Sequence, residues 1–165
     1  MPGERLDAQW VRTWREQTDA ALTKLMQSFL PTHGFPPSHN AVMLATDDSH
    51  QATDALMDLT PIPSDLTTLY WVISEASLPD VDNGYFIHSP ATVAEHFHEH
   101  GPAPIDGESI ALVFASDGGG RLFAIGDNGQ VWKSTTASCS DYFEVTASSL
   151  QDFLEQLGRQ IANQP

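Results

Sequence analysis

The chain has 165 residues, of which 41% are hydrophobic and 18% are charged, so one folded domain over residues 1–165 is expected and a disordered chain is excluded. Its 22 Asp and Glu against 7 Lys and Arg give a formal net charge of -15, which repels nucleic-acid backbones and anionic membranes. We therefore expect a protein partner, most easily a basic one. An acidic proteome in the source organism would explain the same charge.

The ends of the chain and its cysteine bear on the compartment. The first residues, MPGERLDAQW, carry charges and no apolar core, so we expect no secretion signal, and no apolar run is long enough to span a membrane. The single cysteine, Cys139, cannot form a disulfide within the chain and has no basic neighbour or helix start to activate its thiol. These features predict a cytoplasmic protein.

A first helix is predicted over residues 7–29, where apolar residues recur at helical spacing. Trp10 and Trp14 lie on its apolar face, either in the core or as an exposed anchoring patch. The segment LPTHGFPPSHN, residues 30–40, is predicted to be a loop because it is rich in Pro and Gly.

Two further helices are predicted before the first turn-rich region. Residues 47–59 follow Thr46, a suitable N-cap, and their expected buried positions are Ala52, Ala55, Leu56 and Leu59. The third helix follows TPIPSD and is predicted to end near Ser77; its expected buried positions are Leu66, Leu69, Tyr70 and Ile73.

A turn, a short strand and a fourth helix are predicted in DVDNGYFIHSP and the residues after it. The strand covers residues 85–88, and Ser89 and Pro90 are typical of a helix N-cap and first helical position. Val93, Ala94 and Phe97 form the expected apolar face, and Gly101 ends the helix.

The pattern changes to short β-rich runs from Ser109 onward. The runs SIALVFAS, RLFAIG, QVWKST and DYFEVT predict an antiparallel meander. A last helix is expected after Ser148 and Gln151, which have capping-box spacing, and its buried stripe is Leu150, Phe153, Leu154, Leu157 and Ile161. Helices segregated from an antiparallel sheet indicate an α+β fold.

Three consecutive glycines lie between two of these strands, in FASDGGGRLFAIGDNGQVW. A phosphate-binding loop would be followed by a helix and by Lys-Ser/Thr, but Arg121 and the residues after it are typical of a strand. We therefore predict a hairpin corner whose glycines adopt positive φ and let another backbone pass close.

The histidines of EHFHEH raise the possibility of a metal site. His96 and His100 are spaced to share a helical face, whereas His98 lies on the other flank, and the order His-Glu-x-x-His is absent. Solvated histidines near a helix C-terminus are the alternative.

Acidic residues precede Gly84 as in the start of a calcium loop. Asp80, Asp82 and Asn83 fit that start, but Pro90 stands where the essential glutamate would be, so an acidic turn is expected. No nucleophile motif is present in the sequence. By elimination we expect binding rather than catalysis, with no cofactor and no metal.

Five segments, in order, resemble the SUKH superfamily, which includes bacterial toxin-immunity proteins and a yeast cell-wall synthesis regulator. The segments are ATDDSHQATDALMDL, IPSDLTTLYWVI, YFIHSPATVAEHF, FASDGGGRLFAI and SLQDFLEQL. The resemblance covers residues 45–157 and leaves residues 1–30 as an additional N-terminal helix. Leu66 and Arg121 depart from the family pattern, which has Tyr and often Asp there.

The resemblance implies an α+β fold with an antiparallel or mixed sheet of about four to six strands and helices mainly on one side. It also implies a non-enzymatic immunity protein that neutralises a toxin, often a nuclease, by direct binding. The contact candidates are Asp80, Asp82, Asp117, Gly118, Gly119 and Gly120. The alternatives are a scaffold or regulatory domain that binds through Trp10, Trp14 or Trp71, and a metal-dependent enzyme that uses His96 and His100.

Overall fold

A computed structural model describes residues 6–137 and 142–164. The elements of this part of the chain are, in order, α1 (Ala8–His33), β1 (Ala41–Leu44), α2 (Asp47–Leu59), α3 (Ser64–Val72), β2 (Ile73–Leu78), β3 (Tyr85–Ile87), α4 (Pro90–His100), β4 (Ala111–Asp117), β5 (Leu122–Gly126), β6 (Val131–Ser134), β7 (Phe143–Ala147) and α5 (Leu150–Ala162). Among these described residues, no helix is both long enough and apolar enough to cross a membrane.

One antiparallel sheet organises the molecule. It is 7-stranded, and each strand pairs with its neighbours in the chain, in the order β1-β2-β3-β4-β5-β6-β7. The predicted α+β class is therefore confirmed, as is the meander of the last four strands. The predicted total of about four to six strands was too low, because β1 and β2 were not recognised as strands.

The main core lies between one face of this sheet and the helices. Val42, Ala76, Ile87 and Ala115 are register partners across β1 to β4, and all belong to the same buried cluster as the apolar residues of α1, α3 and α5. All five positions of the stripe predicted for α5 are buried, which confirms it. Its Phe153 makes an edge-to-face contact with Phe114 of β4, at 5.5 Å between ring centroids.

The opposite face of the sheet is covered, over β4 to β7, by the segment that follows α4. Ala103 and Ile105 of that segment pack on Val113, Ala124 and Phe143 in a second, smaller cluster. Burial on both faces explains why β4 is apolar without alternation, with five consecutive buried residues at its start.

The first helix is longer than predicted. It extends to His33, four residues beyond the predicted end, and contains Pro31, so the start of the predicted loop is helical. Pro31 is tolerated because it lies in the last turn, and Gly34, at φ 82, ends the helix by donating its N–H to the carbonyl of Leu30. Trp14 is 5% exposed and donates its indole N–H to the carbonyl of Leu154 at 2.8 Å, whereas Trp10 is half-buried.

The third helix is shorter than predicted. It ends at Val72, and the residues up to Leu78 form β2 instead of its last turns. Ile73 is buried as expected, but in extended backbone at φ -120 and ψ 151, where it pairs with Leu44 of β1. A buried residue three positions after Tyr70 fits a helix and a following strand equally well.

The predicted helix ends are otherwise largely confirmed. The side chains of Thr46 and Ser89 cap α2 and α4, and Gly101 ends α4. The cap of α5 is Ser149, whose hydroxyl accepts from the N–H of Asp152, rather than the predicted Ser148.

The buried face of α2 is rotated from the prediction. Thr53 and Leu56 are its buried residues, whereas Ala55 and Leu59 are exposed. Apolar spacing alone placed Leu59 inside, but the buried position is Thr53, whose hydroxyl donates to the carbonyl of Ser49 at 3.0 Å and so needs no solvent partner.

Side chains cover backbone groups on both edge strands. Arg15 of α1 donates from Nε to the carbonyl of Val42 in β1 at 3.2 Å, and Gln156 of α5 donates to the carbonyl of Thr146 in β7 at 3.1 Å. These contacts occupy carbonyls that would otherwise invite pairing with another strand.

Candidate functional site: the glycine-turn surface

The β2–β3 turn and the β4–β5 turn meet at one end of the sheet. We call residues 79–84 and 117–121 together the glycine-turn surface. It brings together all of the contact candidates that the sequence singled out, which are Asp80, Asp82, Asp117, Gly118, Gly119 and Gly120.

Gly118 locks the two turns to each other. Its N–H donates to the carbonyl of Gly84 at 3.0 Å, and a Cβ at Gly118 would overlap the carbonyl oxygen of Asn83. The predicted hairpin corner with a close backbone approach is therefore confirmed, but of its three glycines only Gly120 adopts the predicted positive φ, at 85. A strand and not a helix follows Gly120, so this loop offers an anion no helix N-terminus.

Asp117 holds the glycine loop in shape. Its Oδ1 accepts hydrogen bonds from the N–H groups of Gly119 at 2.9 Å and Arg121 at 3.0 Å. Its Oδ2 forms an ion pair with Lys133 Nζ at 3.3 Å, and the Asp117 side chain is only 11% exposed. The ammonium of Lys133 also lies over the ring of Phe123, 5.2 Å from its centroid. Most of this carboxylate is thus committed to internal contacts.

Asp80 has a similar internal role in the neighbouring turn. Its Oδ2 accepts from the N–H of Ser38 and from Nδ2 of Asn40, both at 2.7 Å. The N–H of Asp80 in turn donates to Oδ1 of Asn40 at 3.0 Å. The side-chain contacts tie the segment before β1 to the β2–β3 turn, and sequence spacing gave no sign of them.

Asp82 is the acidic side chain that this surface presents to solvent. Its backbone adopts φ 52, a left-handed conformation that Asp tolerates better than most residues. Its N–H donates to Oε1 of Gln164 at 3.3 Å, and within residues 6–137 and 142–164 its carboxylate makes no hydrogen bond or ion pair. Burial, followed by the charges of Asp82 and Asp117, raises the pKa of Tyr85, so both carboxylates act on the same phenol.

The charge of the glycine-turn surface is mixed. Arg121 is exposed there, and Lys133 contributes a second cation through its ion pair with Asp117. The sequence has no Lys or Arg between Lys24 and Arg121, and the exposed carboxylates of that stretch are concentrated on two helices that pack together, α2 and α4. These residues are Asp47, Asp48, Asp54, Asp58, Glu95 and Glu99. Most of the exposed negative charge of this stretch therefore lies on α2 and α4 and not on the turns.

The histidines of α4 form a pair and not a larger cluster. The rings of His96 and His100 lie 4.7 Å apart, and His98 is exposed on another side of the helix. Burial, followed by the charge of His100, lowers the pKa of His96, against an opposing effect of Glu99. Within the described part of the chain, no group of three His, Cys, Asp or Glu could hold a metal ion.

A serine and a histidine meet on neighbouring strands. Nε2 of His88 lies 2.8 Å from Oγ of Ser116, and burial, followed by the charge of His96, lowers the pKa of His88. Nδ1 of His88 is buried without a partner among the described residues, so no carboxylate of this region orients the imidazole as a catalytic base would require. Cys139 lies outside the described residues.

No protein-family model matches the chain, and no match to a curated protein was found.

Proposed function

We propose that the chain is a non-enzymatic, protein-binding domain of the SUKH type, which acts as an immunity protein against a basic toxin domain. The observation that carries this proposal is the pair of turns fixed by Gly118 against Asn83. Such turns present a preformed backbone surface, and preformed surfaces lose little entropy on binding a protein.

Charge would bring the partner to the domain. A net charge of -15 attracts a basic surface over a distance set by the ionic strength, and a nuclease that grips phosphates has such a surface. The acidic helices α2 and α4 would supply most of the field, and Asp82 would supply a carboxylate at the contact itself.

The committed carboxylates would keep the contact surface in shape. Asp117 orders the glycine loop and Asp80 orders the β2–β3 turn, which leaves Asp82, Gly119 and Gly120 exposed for contact. We place this activity in the cytoplasm, where an immunity protein would meet an arriving toxin.

The first experiment starts from the neighbouring genes. If one of them encodes a large secreted protein with a C-terminal toxin domain, that domain is produced with this chain and the complex is isolated over a salt series from about 50 mM to about 500 mM. The expected result is co-purification that weakens steeply with salt. Recovery of the same amount of complex at every salt concentration would contradict the proposed role of charge.

A matched pair of variants tests the location of the contact. Asp82→Asn removes one charge from the glycine-turn surface and keeps a residue that tolerates positive φ. Asp106→Asn removes one exposed charge near Glu108, which accepts from the N–H of Asp127 at the other end of the sheet. We expect Asp82→Asn to weaken binding about threefold to fivefold and Asp106→Asn to leave it nearly unchanged.

A scaffold or regulatory domain is the second candidate function, and one observation favours it. Trp14 is buried and Trp10 is half-buried, but Trp71 is 59% exposed. An exposed Trp is a frequent anchor of protein contacts. Loss of partner binding in Trp71→Ala, with Asp82→Asn unaffected, would favour this candidate over the first.

A further inference from the structure

Exposed apolar side chains lie on α2, on the last turn of α3 and at the end of β1. We call Leu44, His50, Met57 and Trp71 the Trp71 patch. Trp71 is 59% exposed, Leu44 53% and Met57 49%, while His50 is half-buried. Large apolar side chains that are exposed together are unusual on a surface with no partner.

The tryptophan is held in a defined orientation. The ring of His50 stacks on the ring of Trp71, with centroids 4.4 Å apart and an interplanar angle of 11°. Nε2 of His50 also lies 3.0 Å from the carbonyl oxygen of Trp71. Leu44 is brought alongside by the pairing of β1 with the start of β2 and by the bond from the N–H of Ala45 to the carbonyl of Val72. An aromatic group fixed in this way loses little entropy on binding.

The flank of α2 that carries His50 and Met57 is otherwise acidic. Asp47, Asp54 and Asp58 are exposed and share that flank by helical spacing. Helix α3 contributes neutral Ser and Thr side chains and one half-buried carboxylate, Asp65, whose Oδ1 accepts from the N–H of Leu6 at 2.9 Å. Arg15 of α1 reaches β1, but its Nε donates to the carbonyl of Val42. Its Nη2 also lies 4.0 Å from Oδ1 of Asp19. The apolar centre is therefore bordered by negative charge.

We infer that the Trp71 patch is a docking surface for a cationic amphipathic helix of a protein partner. The apolar stripe of such a helix would cover Trp71 and Met57, and its Lys or Arg side chains would face the three aspartates. The 13 residues of α2 span about 20 Å, which suits a helix of three to four turns. This inference extends the second candidate function by naming the partner's chemistry.

The two surfaces lie at opposite ends of β2. The strand begins at Ile73, beside the Trp71 patch, and ends at Leu78, beside the glycine turns, a distance of about 17 Å along the strand. Each surface can therefore be changed without touching the other.

A synthetic peptide provides the test. The probe is a helical peptide of about 14 residues with Leu on one face and Lys on the other, and the control peptide has the same composition in a scrambled order. We expect the probe to bind with a Kd of tens of micromolar, to shift the NMR signals of α2 and α3, and to bind at least about fivefold more tightly than the scrambled peptide.

Variants separate the apolar contact from the charges. Trp71→Ala should weaken binding of the probe about tenfold and Asp54→Lys about fivefold. Leu59→Ala removes a 44% exposed side chain from the other flank of α2, and it should change binding less than twofold, as should Asp82→Asn. Circular dichroism confirms that each variant is folded.

Three results would overturn the inference. These are equal binding of the scrambled peptide, unchanged binding by Trp71→Ala, and no binding of the probe at millimolar concentration. Self-association of the wild-type chain in analytical ultracentrifugation, abolished by Trp71→Ala, would assign the patch to a second copy of the chain and would equally overturn it.

Discussion

Substitution of Gly118 by alanine should uncouple the two turns of the glycine-turn surface. A Cβ at this position would overlap the carbonyl oxygen of Asn83, and the carbonyl carbon behind it would be only 2.7 Å away. Both atoms belong to backbone, so no side-chain rotation can relieve the overlap. The turns must move apart, and the hydrogen bond from the N–H of Gly118 to Gly84 is lost or lengthened.

The expected cost follows from these two effects. Insertion of a methyl group into a closed contact costs about 1–3 kcal/mol, and the lost hydrogen bond adds about 1 kcal/mol. We therefore expect Gly118→Ala to lower the free energy of unfolding by about 2–4 kcal/mol. Gly119→Ala is the matched control, because the nearest atom to its Cβ would be Oδ1 of Asp117 at an ordinary 3.4 Å. It should be neutral or stabilising by up to about 1 kcal/mol.

Urea denaturation followed by circular dichroism measures both variants. The urea concentration at the midpoint should fall for Gly118→Ala, while the slope of the unfolding free energy against urea concentration stays unchanged. For Gly119→Ala the midpoint should be unchanged or higher. Equal stability of the two variants would refute the close contact between the turns as a source of stability.

Three further predictions address the supports around the site. Asp117→Ala removes the acceptor of two loop N–H groups and should cost about 2–3 kcal/mol in urea denaturation; a cost below about 0.5 kcal/mol would contradict its role. Tyr70→Phe removes the bond from the hydroxyl to the carbonyl of His88, at 2.6 Å, and should cost about 1–2 kcal/mol near pH 7. Since burial raises the pKa of Tyr70, the wild type loses stability as the pH rises above about 10. The difference in free energy of unfolding between the wild type and Tyr70→Phe should therefore narrow above that pH, and a constant difference would contradict the raised pKa. His100→Ala should raise the pKa of His96 in an NMR titration, because it removes a neighbouring positive charge, and an unchanged value would contradict that coupling.

Local signals predicted the parts of the fold that depend on neighbouring residues. The N-caps Thr46 and Ser89, the stop at Gly101 and the stripe of α5 follow from rules that act within a few residues, and the structure confirms them. The four strands after Ser109 were found for the same reason, since turn residues separate each apolar run from the next.

The errors arose where the sheet overrides local preference. The segment ISEASL has helix-forming residues, but β2 is stabilised by pairing with both β1 and β3, and such long-range pairs leave no local trace. Strand β1 was not predicted because it has only 4 residues and lies between a loop and a capped helix. For the glycine turns, the sequence predicted that another backbone segment passes close to the glycines. It did not predict that this segment is Asn83, nor that Asn40 bonds to Asp80.

A titration of toxin activity tests the central proposal most directly. Increasing amounts of this chain are added to a fixed amount of a basic toxin domain that co-purifies with it, and the remaining toxin activity is measured. Binding without turnover predicts that inhibition is complete at about one chain per toxin domain and returns to zero when the complex is separated in high salt. Complete inhibition at a small fraction of that ratio, or no inhibition at any ratio, would contradict the account.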